Sequence, residues 1–286
     1  MMGAVIGDIC GSIYEFDNRK TDRPETINLF NEECYYTDDT VLTAAVAQAA
    51  FGDRDYEKSI LKWARAYPKE SYGHNFRAWF NSDYPKPYNS FGNGAAMRVS
   101  PVGWAFETLD ETIIEAEKSA ACTHNHSEGI KGAKATAAAV FLARKGSSKE
   151  EIKNHIESVY GYNLSRTLAQ IRAVYQFDES CQGTVPEAIT AFLESNDFTH
   201  AIQCAISIGG DSDTLAAITG GIAEAYYKHT ERYFRIYAGI PEELLKFADS
   251  KMNFEIKSVI RDYYSRTMRE FVEKAVMKMR SEKEEL

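Results

Sequence analysis

An all-α fold is predicted by three features of this 286-residue chain: apolar residues recur at helical spacing almost throughout, strand-like alternation is scarce, and helix starts carry capping residues. The first helical segment, 4 to 16, contains Gly7 and Gly11. Glycine costs about 1 kcal/mol relative to alanine inside a helix, so the pair marks either a close helix approach or a break. "ETINLF", Glu25 to Phe30, is the best candidate for an extended hairpin. The segment 40 to 51 follows two aspartates, which complement the macrodipole at a helix start. Periodicity then predicts helices over 56 to 66, 111 to 121 and 128 to 144. Ser148 with Glu151 opens 149 to 159, and Thr184 with Glu187 opens 185 to 195, both at capping-box spacing. Segments 199 to 208 and 213 to 228 follow, and Pro241 precedes a short helical stretch. The last helix, 254 to 280, carries Phe271, Val272, Ala275, Val276 and Met279 on one stripe, read as core packing with an oligomer contact as the alternative. No repeat, low-complexity tract or linker interrupts the pattern, so residues 1–286 read as one domain, expected to be monomeric.

Apolar residues make up 44% of the chain, ample for a buried core. Lys and Arg number 33 against 42 Asp and Glu. The resulting charge of −9 argues against broad binding of nucleic acid or anionic lipid, and an anionic ligand would need local donors. Five cysteines with no C-x-x-C pair argue against a disulfide framework and a zinc site, and fit a reducing cytoplasm. The opening "MMGAVIGDICGSIYEF" lacks the basic start and unbroken apolar core of a signal peptide, and no run of about 20 apolar residues follows. A soluble, cytoplasmic protein is expected.

The chemistry concentrates in a few segments. "YYTDDTVLTA" sets Asp38 and Asp39 at a helix start, where one carboxylate suffices for a cap and two adjacent ones repel. "GGDSDTLAAITGG" echoes it with Asp211, Asp213 and Thr214. The oxygens of Thr37, Asp38, Asp39, Asp211, Asp213 and Thr214 together would make a hard-cation site. Four gathered carboxylates repel by several kcal/mol without a cation, and two divalent ions about 3.5 to 4 Å apart would match their charge. In "GDICGSIYE", Asp8, Ser12 and Glu15 share a helix face. These acids either sit solvated on a tightly packed helix or point into a site. "NSFGNGAAMRVSPVG" reads either as a plain turn before a helix or as a nest of backbone N–H groups for a phosphate. It closes the irregular stretch from Tyr72 to Ala96, long enough to be a site candidate. In "THNHSEGIKGA", His124 is read as a ligand-contacting donor and His126 as a cap or solvated residue. No hydrolase triad order, Walker A sequence or strand-linked G-x-G-x-x-G is present. An EF-hand fails because Ala216 and Ile222 replace its glycine and glutamate.

Taken in order, "GDICGSIYE", "YTDDT", "SFGNGAAMR", "CTHNHSEGIKGA" and "GGDSDTLAAITGGIAEAYY" resemble the motif series of the ADP-ribosylglycohydrolase family, the group containing the dinitrogenase-reductase-activating glycohydrolases. The resemblance implies a compact, orthogonal all-α bundle with a cleft for two magnesium or manganese ions, and removal of ADP-ribose from a modified protein or small conjugate. Thr37, Asp38 and Asp39 would bind one end of the metal pair, and Asp211, Asp213 and Thr214 the other. Glu15 matches the glutamate implicated in catalysis, with Asp38 in reserve for proton transfer. Ser90, Phe91, Gly92 and Asn93, with Gly94 beside them, match the diphosphate loop, and His124 matches a histidine of the ADP-ribose pocket. Ala95 departs from the family, which more often has glycine there. Arginine is the favoured acceptor, with serine or another O-linked acceptor as alternatives. Two rivals are an all-α isoprenoid diphosphate synthase, disfavoured because Leu42 stands where D-D-x-x-D requires aspartate, and a non-catalytic ADP-ribose reader.

Overall fold

The computed structural model describes residues 1–227, 240, 242–263 and 265–266. Its helices in chain order are α1 (Met2–Gly11), α2 (Asp38–Ala50), α3 (Tyr56–Ala66), α4 (His74–Asn81), α5 (Gly94–Met97), α6 (Ser100–Ala105) and α7 (Leu109–Ala121). There follow α8 (Ser127–Arg144), α9 (Lys149–Tyr160), α10 (Leu168–Val174), α11 (Cys181–Glu194), α12 (Phe198–Ile206), α13 (Ser212–Tyr227) and α14 (Glu242–Lys251). Residues 254–263 are also helical. The described residues contain no strand, only an isolated bridge between Gly92 and Ser180. The fold is all-α, as the periodicity predicts.

Local chemistry explains where the helices depart from expectation. The "ETINLF" hairpin does not form: Pro24–Thr26 is a 3-10 turn, and side chains take the backbone carbonyls that a ladder would use. Gln203 donates to Ile27 O at 3.2 Å and Tyr14 to Asn28 O at 2.9 Å. Ser148 and Glu151 close their capping box, but Thr184 and Glu187 do not. Helix α11 starts earlier, capped by Ser180, while the Thr184 hydroxyl donates to Asp178 O and Glu187 pairs with Arg166 at 2.7 Å. The stretch Tyr72 to Ala96 is less irregular than expected, because α4 lies within it and buries Phe76, Trp79 and Phe80. The stripe from Phe271 to Met279 lies outside the described residues.

Helix α13 is buried from Ser212 through Ala225 and packs against α1, α8, α11 and α12. Its contact with α1 is a seam of small residues. A Cβ on Gly3 would lie 2.2 Å from Gly220 O, one on Gly7 2.0 Å from Ala216 O, and one on Gly11 2.5 Å from Ser212 O. The backbones therefore touch, and the paired numbers run in opposite directions. This is the close helix approach that Gly7 and Gly11 leave open in the sequence. An antiparallel seam brings the start of α13 to the end of α1, which positions the cleft described next. None of the described helices is long and apolar enough to cross a membrane.

Candidate active site

Helix α1 passes at Gly11 into a 3-10 turn, Ser12–Tyr14, and so delivers Glu15 beside the first turn of α13. Gly209 and Gly210, at φ of +82° and +69°, make the left-handed approach to that turn. Helix α2 is bolted to the same place by Asp8. The buried Asp8 carboxylate accepts from Thr37 N at 3.0 Å, the Thr37 hydroxyl at 2.8 Å and Thr40 N at 3.1 Å. Thr37 in turn caps α2 by accepting from Asp39 N at 3.2 Å. Across the gap, the Thr214 hydroxyl donates to Asp39 Oδ2 at 3.2 Å. The two aspartate segments, far apart in sequence, thus meet.

Glu15, Asp38, Asp39, Asp211 and Asp213 line one cleft. Oxygens of Glu15, Asp211 and Asp213 lie within 4.8 Å of one another, and Glu15 Oε2 is buried without a hydrogen-bond partner. Burial, then the charges of Asp211 and Asp38, push Glu15 up to about 8. Burial and Asp8 push Asp38 up to about 7. Burial and neighbouring carboxylates hold Asp39 and Asp213 well above the usual carboxylate range, and burial raises Asp211. A buried wall of mutually repelling oxygen donors suits hard divalent cations, whose charge reverses the penalty. The donor set fits such ions.

The cleft, about 280 Å³, continues to a second wall made by Ser90, Gly92, Asn93, Gly94, Arg98 and His124. Two backbone bonds hold this loop against the start of α11, from Asn93 N to Glu179 O at 2.7 Å and from Cys181 N to Phe91 O at 2.9 Å. Asn93 ties the two walls together, donating to Asp211 Oδ2 at 2.6 Å and to the Thr184 hydroxyl at 3.0 Å. Ser90 Oγ accepts from Gly92 N at 3.1 Å. Gly94 lets the loop lie close to the His124 ring, on which a Cβ there would press at 3.1 Å from Nε2.

Of the residues given a metal, catalytic or ligand-binding role from the sequence, Thr37 and Phe91 do not line the cleft, and Asp8 and Ser12, which share a helix face with Glu15, do not line it either. Thr37 lies beneath it on Asp8, and Phe91, half exposed, meets His126 edge to face at 5.5 Å between centroids. His126 caps α8, as its sequence context suggests. Sequence reasoning missed Arg98, Glu179 and Ser71, whereas Gly73, His74, Asn75 and Phe76 lie in the stretch from Tyr72 to Ala96 that it marks as a site candidate. Arg98 ends the "GNGAAMR" segment, so its proximity was available, but Glu179 and Ser71 arrive through long-range packing that no local pattern announces.

The chain has counterparts among known proteins. "ADP-ribosylhydrolase ARH3" of Mus musculus is 27% identical, over 79% of this chain and 82% of its own length. "ADP-ribosylarginine hydrolase Tri1" of Pseudomonas putida (strain GB-1) is 26% identical, over 79% of this chain and 69% of its own. A solved structure, "ADP-ribosylglycohydrolase-related protein complex", superposes with a TM-score of 0.66 at 23% identity, covering 93% of this chain and 95% of its own, and supports the shared fold. The family model described as ADP-ribosylglycohydrolase matches residues 1–275. With its acidic cleft assembled on this fold, the chain belongs to the ADP-ribosylglycohydrolase family, and is a glycohydrolase enzyme.

Proposed function

We propose that this protein hydrolyses the bond between ADP-ribose and a modified side chain, with a pair of divalent cations, magnesium or manganese, held by Asp38, Asp39, Asp211, Asp213 and Thr214, and with Thr37 supporting them. The observation that carries the reading is the meeting of both aspartate segments with Glu15 at one end of a cleft whose other end is a glycine loop. When bound, the cations supply Lewis-acid polarisation of the sugar hydroxyls and of water.

The chain's own groups do the rest. Ser90, through its hydroxyl, and Gly94, through its N–H, offer donors to the diphosphate, Gly92 and Asn93 shape the loop with their own N–H groups held by Ser90 Oγ and Glu179 O, and Phe91 covers its outer side. His124 donates from the same wall. Cleavage at the anomeric carbon passes through an oxocarbenium-like state, and the departing atom needs a proton. Glu15 is the group for that transfer, because its carboxylate stands at the cleft beside Asp211 and Asp213 with Oε2 buried and free of any hydrogen-bond partner. Asp38 is the reserve.

Arginine is the favoured acceptor. Glu179 at the rim adds negative charge suited to a guanidinium, and one relative's name includes ADP-ribosylarginine. Serine or another O-linked acceptor is the alternative. The family match favours this reaction over isoprenoid diphosphate synthesis. The test is a panel of ADP-ribosylated peptides differing only in the acceptor residue, assayed for free ADP-ribose with divalent ions and with chelator. Divalent-dependent release from the arginine peptide is expected. Absence of release from every peptide supports instead a reader that binds without turnover.

A further inference from the structure

We propose that Arg98 and Thr123 are positioning residues that lock His124 in the tautomer carrying hydrogen on Nε2, so that its imidazole offers the cleft an uncharged donor and never a lone pair. The identity of the ligand that receives this donor rests on the ADP-ribose reading above; the tautomer does not.

Arg98 anchors the lock. Its side chain is fully buried and lies over the Phe76 ring at 5.9 Å. Nη2 donates to Ser119 O at 3.2 Å and to Thr123 Oγ1 at 2.9 Å, while Nε and Nη1 have no partner. A guanidinium can only donate, so Thr123 Oγ1 must accept from it. The single hydroxyl hydrogen of Thr123 then has two acceptors within reach. His124 Nδ1 stands at 2.7 Å, and Ala120 O at 3.5 Å. Ala120 O already accepts from Thr123 N at 3.1 Å and His124 N at 2.7 Å. The 2.7 Å contact outcompetes the 3.5 Å contact to a carbonyl that already holds two donors, and a hydroxyl that accepts from a cation is the stronger donor.

Nδ1 therefore accepts. A neutral imidazole carries one ring hydrogen, which must then sit on Nε2. Burial and the nearby positive charge of Arg98 both favour the neutral ring. Nε2 points at the glycine loop, where an added Cβ would lie 3.1 Å away at Gly94 and 3.7 Å at Gly92. No described side chain or backbone group bonds to Nε2, and His124 lines the cleft. A donor placed here meets an anionic ligand held by the loop. A reversed tautomer would turn a lone pair toward the same anion and repel it. The Arg98 charge behind the loop acts in the same direction in a chain with formal charge −9.

The test uses the full-length protein labelled with ¹⁵N-histidine, the His124 signals being assigned by their loss in His124→Gln. The wild type is expected to show hydrogen on Nε2 and an acceptor Nδ1. Thr123→Val removes the hydroxyl while keeping the side-chain shape, and is expected to shift the ring toward hydrogen on Nδ1. It is also expected to weaken ADP-ribose binding roughly tenfold, the effect of one hydrogen bond, and to lower the melting temperature because Arg98 Nη2 loses an acceptor, so both readouts are taken well below that temperature. Thr123→Ser should restore both readouts, and Arg98→Lys should loosen the tautomer without removing His124. A wild-type spectrum with hydrogen on Nδ1, or a Thr123→Val protein with the wild-type tautomer, overturns the lock. Failure of the wild type to bind ADP-ribose overturns the substrate reading instead, and is read in a separate titration.

Discussion

Gly7→Ala adds one methyl group at the point where α1 and α13 touch. Its Cβ would lie 2.0 Å from Ala216 O, 2.3 Å from Ala216 C and 2.7 Å from Ala217 N. All three are backbone atoms of a buried helix, so no side chain can swing away and the two helices must part locally by roughly 1 Å. Overpacking of this kind costs about 1–3 kcal/mol or more, against about 1 kcal/mol gained from alanine's helix propensity. Because the 2.0 Å clash is with backbone, the cost sits at the upper end, and a net loss of about 2 kcal/mol should lower the melting temperature by about 4–8 °C, taking ~2–4 °C per kcal/mol for a domain of this size. The functional loss should be larger. The seam sets the distance between Glu15 and Asp213, and a 1 Å misplacement of catalytic groups costs on the order of 10²-fold. The assay is thermal melting beside ADP-ribose release, with Gly73→Ala as the control for melting alone, since Gly73 lines the cleft. At Gly73 an added Cβ meets nothing within 4 Å, and its backbone is in the ordinary extended region. That variant should melt at or slightly above the wild type. A Gly7→Ala protein with wild-type melting and activity would refute the seam as the device that assembles the site.

Glu15→Gln should lower turnover by about 10²–10⁴-fold while ADP-ribose binding, measured by calorimetry, persists. Asn93→Ala removes the donor that holds Asp211 at 2.6 Å, and should weaken divalent binding by roughly tenfold in a metal titration. In chelator, Asp38 and Glu15 have folded pKa values of about 7 and 8, raised from 3.8 and 4.5. Their contribution to stability is full below the unfolded values and is lost as pH rises through the folded ones. Stripped protein should therefore melt higher at pH 5 than at pH 9, and manganese should remove most of that difference. Melting that rises with pH in chelator would contradict the acidic wall.

The helical class and much of the cleft were legible because the relevant signals are local. Paired aspartates at two helix starts, a glycine loop and a histidine can each be found within a few residues, and the resemblance orders them. Gly7 and Gly11 also carried the clue to convergence, though only the partner positions Gly220, Ala216 and Ser212 turn it into a seam. The misses have physical reasons. Helices α4, α5, α6 and α10 have 8, 4, 6 and 7 residues, too few for periodicity to separate them from loops. Thr184 and Glu187 satisfied a spacing rule, but Asp178 and Arg166 outcompeted the box for their polar atoms. Glu179 reaches the cleft because its carbonyl accepts from Asn93 N, a pairing across many residues that no window along the chain contains.

Manganese titration of the chelator-stripped protein tests most directly whether both aspartate segments serve one dinuclear site. The wild type should take up two ions per chain, and Asp38→Ala and Asp213→Ala should each lose tight uptake despite standing on different helices. Variants that bind manganese as the wild type does, or a wild type that binds none, would contradict it.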